Sequence, residues 1–214
     1  MKYCSLGSFC QSAEILIKLG VREFSTPFDW IYSNLDIVKH CLQDDFKTYL
    51  DKSQYFKVEP NEIVHNPWGH KTYSALIDYK YETVPNGFFV HNDPLNNEKE
   101  YAYFGRCVQR FRDVLASDEK KVFLYMYKNR EPENAENALM EGLLFTQFLD
   151  GYTSNYRLIF VYHSVGEVDH SLVKGHNLDF VKLSSSKSLG NTFEDHSHNG
   201  YLNEIIKKLI DDIR

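Results

Sequence analysis

Apolar positions along this chain follow two spacings, and the places where one gives way to the other outline its elements. Residues 2 to 6 form a short apolar strand, after which Ala13, Leu16, Ile17 and Gly20 fall at helical spacing and predict a helix over 9 to 19 that stops at the glycine. A second amphipathic helix is predicted from Leu35 to Leu50, with Ile37, Val38, Cys41, Leu42 and Phe46 on its apolar face and Asp36 near its start. From Tyr55 to His91 the pattern shortens: Ile63-Val64, Tyr73 to Tyr81 and Phe88-Phe89-Val90 predict short strands punctuated by Pro60, Asn66-Pro67, Gly69 and Pro85-Asn86-Gly87. Helical spacing returns over 98 to 116 through Tyr101, Phe104, Val108, Phe111 and Leu115.

The second half alternates. Apolar runs at Val122 to Tyr127, Leu158 to Tyr162 and Phe180-Val181 are separated or followed by helical patterns over 134 to 149 and about 200 to 213. Continuous apolar runs between helices are the mark of parallel strands buried on both faces. The expected fold is therefore α/β: a layered, mostly parallel sheet with flanking helices and a β-rich insertion around residues 55–91. A chain of 214 residues with 43% hydrophobic content fits a single domain over 1–214.

Composition narrows the function classes. A net charge of −6 gives no basic footprint for nucleic acid or an anionic membrane, and no apolar stretch is long enough to span a bilayer. No leader precedes the first strand, so a cytoplasmic protein is expected. The cysteines Cys4, Cys10, Cys41 and Cys107 form no C-x-x-C pair, which points to free thiols rather than zinc or disulfides. His196 and His198 beside Asp195, or His65 and His70 around Pro67-Trp68, read as solvated loop histidines, and no metal site is expected. Phosphate-binding glycine fingerprints are absent, and no cofactor is expected.

The chemistry concentrates at Ser5-Leu6-Gly7-Ser8-Phe9-Cys10-Gln11, between the first strand and the first helix. Gly7 permits a sharp turn, Ser8 with Gln11 fits a capping box, and Cys10 falls in the first helical turn. There the partial positive charge of unpaired N–H groups favours a thiolate. A Cys nucleophile needs an imidazole to take its proton and a third group to orient the ring. His91 closes the apolar run Phe88-Phe89-Val90, and Asp93, Asn92 or Asp29 are candidates for the third place.

These blocks resemble a known family. Ser5-Leu6-Gly7-Ser8-Phe9-Cys10, then Leu19-Gly20-Val21-Arg22, Pro27-Phe28-Asp29-Trp30, His91 and Tyr103-Phe104-Gly105-Arg106 are similar to the family described as "putative papain-like cysteine peptidases", with its SLG-x-x-C start, LGLR segment, PFDW block and His-Asp pair. The resemblance implies a hydrolase with Cys10 as nucleophile and His91 as general base. This chain departs at His91-Asn92-Asp93, where the acid comes one place late or an amide replaces it. Catalytic Cys10, His91 and Asp93, supported by Ser8, Asp29, Asn92 and Arg106, are the expected site. In the PFDW block, Phe28 and Trp30 pack in the core and Asp29 caps or pairs with Arg22 on the competing structural reading. The expected substrate is a peptide or another acyl compound.

Two other readings use different residues. Asp195-x-x-His198 before the last helix, with Ser8 after the first strand and Asn129 after the strand ending at Tyr127, resembles SGNH/GDSL esterases and acyltransferases that act on glycans. The α/β alternation suits that fold better than a papain fold. A non-catalytic module using Arg106 and Arg110 for an anionic ligand is the third.

Overall fold

A computed structural model describes residues 1–60, 67–82 and 84–213. In chain order it contains β1 (Lys2–Gly7), α1 (Cys10–Lys18), α2 (Leu35–Gln43), β2 (Tyr55–Lys57), β3 (Trp68–His70) and α3 (Glu98–Ala116). There follow β4 (Lys121–Arg130), α4 (Ala135–Leu149), β5 (Tyr156–Val165), β6 (Asp169–Gly175), β7 (Leu178–Ser185) and α5 (Ser197–Ile213). Five strands form one sheet in the order β1-β4-β5-β7-β6, parallel throughout except for β6, which pairs antiparallel with β7 at one edge. The expected mostly parallel α/β sheet with flanking helices is what the chain forms, and β2 and β3 make a separate two-stranded antiparallel sheet.

Strand alternation sorts the core into two layers. Phe123 and Tyr125 of β4 and Phe160 of β5 face α2, α3 and α4 through Leu35, Phe104, Phe111 and Phe145. Val122, Leu124 and Met126, with Ile159 and Val161, face α1 and α5 through Leu16, Leu202 and Ile206. Both faces of the parallel strands are covered, which is why their sequences read as unbroken apolar runs. Among the described residues, no helix is long and apolar enough to cross a membrane.

Several local expectations give way to specific competitors. The capping box does not form: Phe9 occupies the N-cap of α1 without a side-chain cap, the Ser8 hydroxyl donates to Met126 O at 2.8 Å, and Gln11 Oε1 accepts from the Ser188 hydroxyl at 2.7 Å. Helix α2 ends at Gln43 rather than Leu50, because Asp45 and Phe46 take left-handed backbone (φ 53 and 58) that no helix can continue through. In the 55–91 segment, Tyr73 to Tyr81 forms two single-turn 3-10 helices, Ser74–Leu76 and Tyr79–Tyr81, instead of a strand. Ile63-Val64 and His65 lie outside the described residues. Phe89 makes isolated bridges to Ile31 and Trp68, so Phe88-Phe89-Val90 is clamped between the segment after Trp30 and β3.

Candidate functional site

The first strand and helix place Cys10 by a tightly tied turn. Gly7 has φ +94, and a Cβ there would lie 2.0 Å from the Ser33 hydroxyl oxygen, so both the backbone conformation and the space require glycine. The Ser33 hydroxyl donates to Leu6 O at 3.0 Å, and the Ser12 hydroxyl donates back to Gly7 O at 2.5 Å. Ser8 donates both its N–H (3.3 Å) and its hydroxyl (2.8 Å) to Met126 O, fastening the turn to β4. Cys10 then opens α1, where the first-turn amides have no intrahelical acceptor and Phe9 supplies no cap.

His91 arrives from the opposite side of the chain. Trp68 N–H donates to Phe89 O at 2.9 Å, Phe88 N–H to Trp68 O at 2.7 Å and Tyr32 N–H to Phe88 O at 3.1 Å, so the segment before His91 is held on both flanks. The result is a contact of 3.2 Å between Cys10 Sγ and His91 Nε2. The Trp30 ring stands edge-on to the imidazole, centroids 6.4 Å apart, and the Arg22 guanidinium covers the indole at 5.6 Å. Arg22 also donates from Nε to Asp29 Oδ2 at 3.1 Å, and Thr26 N–H donates to the same oxygen at 3.0 Å. Phe28 is fully buried, whereas Trp30 is half-buried and lines the cleft, so the PFDW block braces the site from behind.

Cys10 and His91 open into a cleft of about 720 Å³ at the carboxyl ends of β1 and β4. Open parallel sheets commonly bind ligands at this end. Phe9, Trp30, Tyr32, Val90 and Tyr103 give apolar walls, and Glu14, Asn92, Lys99, Glu100 and Lys128 give polar points. Burial pushes the Cys10 thiol up to about 12, with the Lys128 charge opposing it, and burial lowers His91 below the ordinary imidazole value. The facing groups are thus an uncharged thiol and an uncharged imidazole near neutral pH.

The other expected site residues are placed as follows. Asn92 lines the cleft. The Asp93 carboxylate accepts from Asn96 N–H at 2.9 Å and from Asn96 Nδ2 at 3.1 Å, closing the turn that leads into α3. Among the described residues no carboxylate hydrogen-bonds His91. Asp29 is buried against Arg22 and Thr26, and Arg106 is exposed on α3; neither lines the cleft, nor does Arg110. The esterase constellation is not assembled: Ser8 is bonded to Met126 O, while His198 Nδ1 accepts from Ser186 N–H at 3.0 Å and its Nε2 lies 3.6 Å from Asp195. Asn129 holds the 188 loop through Nδ2 to Ser188 O (2.9 Å) and Oδ1 from Ser188 N–H (2.8 Å). No group of three or more His, Cys, Asp or Glu suited to a metal ion occurs among the described residues.

Lys128 and Glu82 went unread in the sequence. They form a contact of 2.8 Å with both side chains 3% exposed, and the Lys128 ammonium lies 4.5 Å over the Phe9 ring and 5.9 Å from that of Tyr32. The available signal was a lysine directly after the apolar run of a strand expected to be buried on both faces.

Comparison with known proteins gives one relative and one family. An uncharacterised protein, R408, of Acanthamoeba polyphaga mimivirus is 25% identical over 209 residues, covering 88% of this chain and 91% of its own length. No solved structure matches. The sequence model of the family described as "putative papain-like cysteine peptidase" (DUF1796) matches residues 1–166, a span that holds Cys10, His91 and the PFDW block, and the chain belongs to that family.

Proposed function

We propose that the protein is a cysteine hydrolase in which Cys10 attacks an acyl carbon and His91 carries the proton. The observation that carries this reading is the 3.2 Å contact between Cys10 Sγ and His91 Nε2 at the mouth of a cleft. Because the thiol is raised and the imidazole lowered, the pair rests uncharged, and proton transfer accompanies attack instead of preceding it. The Cys10 S–H proton passes to Nε2, a sulfur lone pair forms the S–C bond, and the carbonyl π pair moves onto oxygen. The uncapped first-turn amides of α1 are the donors this reading assigns to that oxyanion, because a helix N-terminus offers unpaired N–H groups. Collapse expels the leaving group, which takes the proton from His91, and water then hydrolyses the thioester by the reverse sequence.

Neutral His91 accepts at Nε2 only with its proton on Nδ1, and that tautomer is the one this reading requires. Peptides and other acyl compounds are both compatible with walls built from Phe9, Trp30, Tyr32 and Tyr103. A panel of chromogenic peptide and ester substrates tests the reading. Turnover abolished by Cys10→Ala and only lowered by Ser8→Ala, which loosens the turn without removing the nucleophile, supports it; turnover that survives Cys10→Ala refutes it.

A further inference from the structure

The cleft holds a buried charge that the Cys10 and His91 chemistry does not use. Lys128 lies near the carboxyl end of β4, is 2% exposed, and lines the same cleft as Cys10. A buried ammonium is costly unless it is paired, and Glu82 pairs it at 2.8 Å. The pair sits beside the nucleophile through two fastenings. Ser8, two residues before Cys10, is bonded to Met126 O, two residues before Lys128. Phe9, which precedes Cys10, lies face-on to the Lys128 ammonium at 4.5 Å.

We propose that Lys128, held in place by Glu82, is a positioning residue that stabilises negative charge on the Cys10 sulfur, and that Glu82 sets how much of the lysine charge the sulfur feels. This rests on the reading of Cys10 as a nucleophile and adds a residue to it. In this role Lys128 transfers no proton; it supplies a positive charge where the described residues provide no acid to polarise His91. The direction of influence on the thiol agrees: Lys128 lowers the Cys10 value and Glu82 raises it, both against the larger effect of burial. Glu82 is itself raised by burial, with the Lys128 charge opposing the rise, as expected of a buried pair.

Two substitutions separate this from a merely structural pair, because they push the thiol in opposite directions. The measurement is the rate of Cys10 alkylation by iodoacetamide at pH 9, read by peptide mass spectrometry on the full chain. One unit of thiol ionisation is about a tenfold change in thiolate at pH 9, and Lys128→Met slows alkylation on the order of that factor. Glu82→Gln, which unmasks the lysine, accelerates it, and Lys128→Arg restores the parent rate to within about threefold. Equal rates in all variants, or the same direction of change for Lys128→Met and Glu82→Gln, overturn the proposal. Should Lys128→Met not fold, Glu82→Gln carries the test alone through its sign: acceleration supports the proposal, and an unchanged or slower rate overturns it. Alkylation reads the thiol and not turnover, so opposite shifts in a protein that hydrolyses nothing leave this proposal standing while the hydrolase reading fails.

Discussion

The Cys10 sulfur and the His91 Nε2 lie 3.2 Å apart although 81 positions separate them in the chain. Two independent backbone clamps produce that contact. Ser8 fixes the thiol side to β4, and the bridges of Phe89 to Ile31 and Trp68 fix the imidazole side. On the proposed reading the pair needs few adjustments to react, since the supporting hydrogen bonds are made before substrate arrives.

His91 and Asp93 are expected to separate on substitution. His91→Ala removes the proton acceptor and lowers turnover by roughly 10²- to 10⁴-fold. Asp93→Ala removes the acceptor of two hydrogen bonds from Asn96, costing about 0.5–2 kcal/mol of stability while leaving kcat within about threefold. Steady-state kinetics and urea midpoints on both variants check this; an equal kcat loss in Asp93→Ala would restore the aspartate as the orienting group.

An uncharged resting pair has a kinetic signature. With the thiol held up to about 12 and the imidazole lowered, alkylation of Cys10 at pH 7 runs about tenfold or more below that of a small free thiol such as glutathione. The rate then rises steadily with pH through 9. A flat profile with a fast rate at pH 6 would instead reveal a preformed thiolate and imidazolium pair.

Stability falls in mild acid for reasons away from the cleft. His163 and His70 are each lowered to about 4 by burial, and each has both ring nitrogens engaged: His163 with Asn129 N–H and the Ser185 hydroxyl, His70 with Tyr73 N–H and Thr48 O. Between the ordinary value near 6.5 and about 4 the unfolded chain binds protons that the folded chain refuses, so stability decreases as pH drops through that window. Each histidine contributes up to about 1.4 kcal/mol per pH unit there. Urea titrations at pH 7, 6 and 5 measure the slope, and His163→Gln removes its share; a slope unchanged by that substitution contradicts the assignment.

Gly7 tolerates no side chain. Gly7→Ala forces a Cβ to 2.0 Å from the Ser33 oxygen and holds alanine at φ +94, so a loss of about 2 kcal/mol or more is expected in a thermal or urea midpoint. Adding Ser33→Ala removes the overlap and recovers part of the loss, while the share due to φ remains. Full recovery in the double variant would place the whole effect in the overlap.

Much of this arrangement is legible from residue pattern. The apolar runs around Val122, Leu158 and Phe180 became β4, β5 and β7, and the spacing over 98 to 116 became α3 with its observed bounds, because each buries a face that only one secondary structure presents. Strand β6 escaped because Asp169–Gly175 sits exposed at the sheet edge, where its hydrogen bonds to β7 demand no apolar alternation. Ser8 and Gln11 looked like a capping box until tertiary partners at Met126 and Ser188 outcompeted the local bonds. Cys10 was legible from its place between strand and helix, and His91 from a strand end and a family resemblance. Lys128 with Glu82 was not, since a buried ion pair leaves no periodic trace and its partners lie 46 positions apart.

The most direct test of the central claim is intact and peptide mass spectrometry of the full chain quenched during reaction with an activated acyl ester. The account predicts an acyl adduct on the peptide that begins at Tyr3 and contains Cys10, absent in Cys10→Ala and slowed by at least about 100-fold in His91→Ala. An adduct that persists in Cys10→Ala, or that forms on Cys10 at the same rate without His91, would contradict it.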